Sequence, residues 1–247
     1  MSTGSSIEGP TLFFTYAHPV DADLQQGDIL KRTPGIKSIL ERFHPYYCEH
    51  DSYTHFIVLT QSCDLVRRNG QHPKSRYITL AAIRPMSLVV ERELEKYQSD
   101  LAKRAMVCKD SVRDKLSHFV EQVLNNNASD FFYLHPQPEL GFSEPSCAFL
   151  RLSVSLKSVE HYQTCYAARL LSLAPVFQTK LGWLVGNMYS RVGTDDWIPK
   201  AATPDQFSQK IKDILDELCD FVDAKKLRIA EKSASPDFST KSKQEIR

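Results

Sequence analysis

His55-Phe56-Ile57-Val58-Leu59-Thr60 decides the fold. Four consecutive apolar residues fill both faces of the pleat, the pattern of a central strand covered on both sides. Tyr77-Ile78-Thr79-Leu80-Ala81-Ala82-Ile83 repeats it and is stopped by Pro85, which cannot donate to a ladder. Asn69-Gly70 between them is a turn signal within a connection longer than a minimal hairpin. Upstream, Asp28-Ile29-Leu30 follows the turn residue Gly27, and Thr11 to Phe14 is a short β-prone patch. Downstream, Phe131 to Leu134 and Cys147 to Leu156 read as two more strands, linked through Pro136, Pro138, Gly141 and Pro145.

Helical periodicity takes over elsewhere. Val90, Leu94, Tyr97, Leu101, Ala105, Cys108, Val112, Leu116, Phe119 and Val123 recur at spacings of three and four. That predicts a helical hairpin broken near the Ser111-x-x-Asp114 capping pair. Further helices are expected from about Ser158 to Leu173, from Pro175 to Gly193, and after the Thr203-Pro204 cap, with Phe207, Ile211, Leu215, Leu218 and Val222 on the buried face. The expected class is α+β: a disordered start at 1–10, a small barrel-like β domain over 11–157 with a helical insertion at about 87–127, a helical subdomain over 158–232, and a basic tail at 233–247.

Composition narrows the function classes. The 247 residues are 42% hydrophobic and 25% charged, ordinary for a globular chain. No apolar run reaches the roughly 18 residues of a membrane span, and no secretion-signal order opens the chain. The six cysteines are widely spread, so reduced thiols and a cytoplasmic location are expected. The net charge of +1 conceals a basic C-terminal stretch and an acid-free one between Asp64 and Glu91, which holds Arg67, Arg68, Lys74, Arg76 and Arg84. The latter suits phosphates, and equally a solvated basic loop.

The sharpest local chemistry is Thr60-Gln61-Ser62-Cys63-Asp64, leaving the end of the most apolar strand. Cys63 is a candidate nucleophile if His55, His50, Arg67 or Arg68 supplies a base or positive field, with Gln61 as oxyanion donor and Asp64 to orient a histidine. Small apolar filler for Cys63 and a turn cap for Asp64 are the structural counterparts. His44, Cys48, His50, His55 and Cys63 form a dense run of soft ligands whose spacing matches no paired zinc knuckle. His161 and Cys165 lie one helical turn apart and read as packing, and Gly182-x-x-x-Gly186 as close helix approach with homodimerisation as an extension. There is no phosphate-cradling glycine loop, nucleophile elbow, His-Glu-x-x-His or kinase set, and no cofactor is implied.

Gln26-Gly27-Asp28-Ile29-Leu30, Phe56 to Thr60 and Tyr77 to Ile83 resemble the PemK/MazF ribonuclease-toxin family in its opening Gly-Asp-Ile strand and following core strands. Cys147 to Leu156 and the helix after it are similar to a late strand-helix step of that family. Where those toxins carry an Arg-Pro pair before the second core strand, this chain has Tyr53-Thr54-His55. The resemblance implies an SH3-like barrel in a prokaryotic toxin or phage-defence protein that binds or cuts RNA, with an antitoxin or other protein partner. Metal-free cleavage at a 2′-hydroxyl needs a base, an acid and a cation. His55, Asp64 and Arg67 or Arg84 are the candidates, and Arg67, Arg68, Lys74 and Arg76 the RNA contacts. Two other classes stand beside it: a cysteine-dependent hydrolase or redox sensor using Cys63, and a non-catalytic scaffold docking a partner through its helical half.

Overall fold

In the computed structural model His55–Val58 (β3) is the middle strand of a curled, seven-stranded antiparallel sheet. The structure describes residues 15–16, 22–138, 142–190 and 204–233. The contacts divide the chain into two compact units, the first made of 1–85 and 126–197, the second of 86–125 and 198–247.

In the first unit the strands and helices run β1 (Thr15–Tyr16), β2 (Asp28–Lys31), α1 (Pro34–Phe43), α2 (Tyr46–Glu49), β3, α3 (Ser62–Leu65) and β4 (Tyr77–Pro85). After the second unit's first segment come β6 (Phe131–Leu134), β7 (Ser146–Lys157), α7 (Ser158–Ala167), β8 (Arg169–Leu173) and α8 (Pro175–Ser190). The sheet order is β1-β8-β2-β3-β4-β7-β6. Phe56 and Val58 of β3 join Ile78 and Leu80 of β4 and Val154 and Leu156 of β7 in one buried cluster under α1 and α7. Ile57, Ala81 and Ile83, pointing the other way, are buried as well. The run apolar on both faces is thus explained, and the three expected strands share one sheet. Truncating a buried side chain such as Phe56 to alanine costs about 3–5 kcal/mol.

Two irregularities shape the sheet. Gly27 enters β2 at φ +86, and a Cβ there would lie 2.9 Å from Leu173 Cδ1, so only glycine fits this turn. On β7, Ala81 pairs with Ser153 and Ala82 with Phe149, leaving Leu150, Arg151 and Leu152 without partners on β4, a bulge that bends the sheet.

The second unit holds α4 (Ser87–Leu94), α5 (Asp100–Arg104), β5 (Val107–Lys109), α6 (Arg113–Leu124), α9 (Pro204–Leu218), β9 (Asp220–Val222) and α10 (Ala224–Ser233). β5 and β9 pair in parallel, and Arg113 bonds Asp216 at 2.8 Å while lying 4.2 Å over the Phe221 ring.

Several expectations are corrected. The helical hairpin over Val90 to Val123 is three helices and a strand. Ser99 caps α5, and Cys108 lies in β5 because Val107-Cys108-Lys109 finds a partner strand over a hundred residues away. The helix expected to Leu173 stops at Ala167, and Arg169–Leu173 becomes β8, wedged between β1 and β2. The helix expected after Thr203-Pro204 to carry Val222 ends at Leu218, with Val222 in β9 and α10 following it. The expected partition at 157/158 differs from the observed one: α7, β8 and α8 belong with the sheet, and the 87–124 elements with α9 to α10. The patch Thr11 to Phe14, Gly193 and the tail beyond Ser233 lie outside the described residues, as does the 1–10 start. Among the described residues no helix is long and apolar enough to cross a membrane.

Candidate functional site

The two motifs that stand out in the sequence meet in space. The turn leading into β2 passes beside α3, where Ser62 Oγ accepts the Gln26 backbone N–H at 3.0 Å and Gln26 Nε2 donates to Leu59 O at 2.7 Å. Arg67 then closes on Asp23, its Nε donating to Oδ1 at 2.9 Å and its backbone N–H to Oδ2 at 3.0 Å. Tyr162 donates its hydroxyl to the same carboxylate at 3.1 Å and lies 4.6 Å under the Arg67 guanidinium. Burial alone would raise the Asp23 carboxyl, but the hydrogen bonds from Arg67 and Tyr162 more than offset it and hold it below its ordinary 3.8.

A second ion pair lies deeper. Asp28, fully buried, accepts from Ser172 Oγ at 2.5 Å and from Gln25 N–H at 2.8 Å, and meets Arg169 Nη1 at 3.4 Å. Arg169 Nη1 also donates to Asp23 O at 3.0 Å, and its guanidinium stacks 4.7 Å from the Tyr166 ring. Burial pushes the Asp28 carboxyl above 3.8 despite these donors. Every charge here is matched by another within the chain, so the network locks the β2 turn, α3, α7 and β8 together.

The candidate catalytic residues are divided between opposite ends of β3. His55 sits at its start, its ring 5.6 Å from Phe142 and its Nδ1 2.9 Å from Thr54 Oγ1. Burial, and then Lys31, lowers its pKa below 6.5, so it stays a neutral imidazole. Arg84 is at the same end, lying 4.9 Å over Tyr53 with Nη2 3.4 Å from Ser52 Oγ. Cys63 and Asp64 follow the other end. Cys63 is exposed with its thiol 3.8 Å from Gln61 Oε1, no histidine among the described residues is bonded to it, and Asp64 pairs with Lys74 at 3.3 Å. The structure therefore leaves His55 and Arg84 at one end of β3, packed on different partners, pairs Asp64 with Lys74 beyond the other end, and does not join the two sets. Among the described residues no three histidine, cysteine or acidic side chains are grouped to hold a metal ion.

A different set of residues forms a groove. Helix α1 starts at a Thr33 cap followed by Pro34, and Ile36, Ile39 and Leu40 set its buried face. Phe43 continues that spacing one turn on, past the end of the core, and is left 46% exposed. Tyr77, the first residue of β4, alternates outward from Ile78 and is 50% exposed. Lys157 faces Tyr77 across the β4/β7 ladder. Phe43, His44, Tyr77, Ser155, Lys157, Glu160 and His161 line a groove of about 280 Å³. Arg42 lies 4.9 Å over the Phe43 ring, and the His161 ring sits 5.9 Å from it, tilted by 59°. Beside the groove Thr79 Oγ1 and Ser155 Oγ are 3.2 Å apart.

The basic loop within the acid-free stretch leads into this groove at Tyr77. Ser158, at the start of α7, donates its N–H to Arg76 O at 2.9 Å and its hydroxyl to Ser75 O at 2.6 Å, fixing the basic loop against the strand-helix corner. Arg68, Lys74 and Arg76 are exposed, whereas Arg67 is committed to Asp23. His161 faces the groove while Cys165 is fully buried, so the two do not act as a ligand pair. Gly182 packs inside the chain, where an added Cβ would lie 2.8 Å from Gln26 Oε1. Sequence reasoning missed Asp23, Tyr162, Arg169 and Phe43. The available signals were the period of α1, which carries Phe43 off the core, and Tyr77 directly after a run of arginines and lysine. No family model matches the chain, and no curated protein or solved structure does either.

Proposed function

We propose that this protein binds single-stranded RNA in the groove between α1 and the β4/β7 corner. The observation that carries the reading is the pair of large aromatic side chains, Phe43 and Tyr77, half in solvent on one groove beside Lys157. Unstacked bases stack on such rings, and a neighbouring cationic loop follows the phosphates. Arg68, Lys74 and Arg76 supply that loop, and the Thr79–Ser155 hydroxyl pair offers a donor and an acceptor suited to a 2′-hydroxyl. An SH3-like barrel and the PemK/MazF resemblance agree with RNA as the ligand and with a cytoplasmic setting. The reading is binding rather than cleavage, because the base, acid and cation proposed for cleavage sit at opposite ends of β3.

Fluorescence anisotropy with a labelled single-stranded RNA tests it. Tyr77→Ala and Phe43→Ala should each weaken binding by about 5-fold to 150-fold, the range for losing one base-aromatic stack. Removing Arg68, Lys74 and Arg76 together should flatten the logarithmic salt slope by about 2, at about 0.7 per single-strand phosphate contact. The corresponding deoxyribo-oligonucleotide should bind more weakly. Unchanged affinity in the Phe43→Ala/Tyr77→Ala double variant would refute the reading.

A further inference from the structure

Resting on the RNA-binding reading, we infer that the groove selects an unpaired guanine. At about 280 Å³ it has room for one nucleobase with part of its sugar and not for a base pair. Its aromatic walls are indifferent to base identity, because every base offers a π-face. Discrimination must then come from the polar groups lining it, and among the described residues the carboxylate lining it is that of Glu160.

The geometry around Glu160 defines what it can accept. Lys157 Nζ lies 3.0 Å from Oε1, and His161 Nε2 lies 3.7 Å from Oε2. These neighbours orient the group, and its side chain remains about half exposed, so lone pairs on both oxygens stay open to a ligand. The hydrogen bond from Lys157 holds the Glu160 carboxyl below its ordinary 4.5, keeping it an acceptor at neutral pH. A carboxylate presents two acceptors side by side. Among the four RNA bases, guanine alone presents two parallel donors, N1–H and the N2 amino group, on one edge. Adenine and cytosine set an acceptor next to their amino group, and uracil flanks its single N–H with two carbonyls. The bidentate match therefore favours guanine, and carboxylate repulsion of a ring acceptor or carbonyl penalises the rest. The Watson–Crick edge that makes this contact is free only in single strands.

The test uses the full chain and four heptamers of uridine that differ only at the central position, which is G, A, C or U, measured by anisotropy. The heptamer with guanine should bind about tenfold tighter than the other three, the size of one good bidentate contact. In Glu160→Gln, which replaces one acceptor oxygen by a donor, the four affinities should converge to within about twofold. Phe43→Ala should weaken all four and leave their ratio standing. Far-UV circular dichroism and melting temperature of Glu160→Gln check that this exposed substitution leaves the fold intact. Equal affinities for the four heptamers overturn guanine selection while the RNA-binding reading survives. A guanine preference that persists in Glu160→Gln overturns the role of Glu160. Failure of every heptamer to bind overturns the RNA-binding reading itself.

Discussion

Arg169→Met would test the buried ion pair directly. The arginine side chain is 1% exposed and Asp28 0%, so the substitution leaves a carboxylate in the interior with two neutral donors, Ser172 and Gln25, and no counter-charge. Methionine retains most of the apolar stem and its stacking volume over Tyr166, so the loss is mainly electrostatic. Removing one partner of a buried pair costs about 3–5 kcal/mol, a large share of the roughly 5–15 kcal/mol of a typical domain. In an Asp28→Asn background the same change strands no charge, and the added cost should fall to about 1–2 kcal/mol, the hydrogen bond to Asp23 O. The coupling in the double-mutant cycle is therefore about 1–4 kcal/mol. Urea unfolding followed by far-UV circular dichroism at pH 7 and at pH 4.5 measures it. The cost of Arg169→Met should shrink at the lower pH, because Asp28, already raised above 3.8 by burial, loses its lowering partner and takes up a proton. A cost under about 1 kcal/mol at pH 7, or strict additivity with Asp28→Asn, would refute the reasoning.

Gly27→Ala should destabilise by about 1–3 kcal/mol in the same assay, since φ +86 and the Leu173 side chain both oppose a Cβ. His55 binds a proton less readily folded than unfolded, so its contribution to stability is full above 6.5 and is withdrawn as pH falls through 6.5 toward its lowered folded value; His55→Phe should flatten the stability profile there. Iodoacetamide should label the exposed Cys63 before half-buried Cys48 and leave buried Cys108, Cys147, Cys165 and Cys219 unmodified in the native protein, with the Cys165 thiol pushed up to about 12 by burial; mass spectrometry of timed digests reads the order. Arg67→Ala should cost about 1–2 kcal/mol through its partly exposed pair with Asp23, and equal unfolding midpoints for it and the native chain would show that the pair is screened away.

The sheet core was legible because β3, β4 and β7 declare themselves by runs whose burial depends only on their own faces. β8 was not, because Arg169-Leu170-Leu171-Ser172-Leu173 carries no strand signal until Asp28 and Ser172, 144 positions apart, are known to bond. The same holds for β5 and β9, three residues each, defined wholly by one another. For the candidate site, the motif around Cys63 drew attention for its reactive side chains, whereas in space Ser62 caps the Gln26 turn and Arg67 is spent on Asp23. The basic loop was visible as an absence of acids. The aromatic wall it serves was not, since Phe43 and Tyr77 are 34 positions apart in the chain and reach one groove only after α1 and β4 pack.

The sheet order β1-β8-β2 has a consequence for the nascent chain. β2 can pair with β3 as soon as both have emerged, but its other edge stays open until residues 169–173 have left the ribosome. During that interval Asp28 is already committed to a site whose cation, Arg169, has not been made, and an apolar edge is offered to any passing strand. Such non-local closure is slow and exposes the chain to aggregation. Translation products ending before Arg169 should thus be caught by chaperones or aggregate, and those extending past Leu173 should turn protease-resistant in one step.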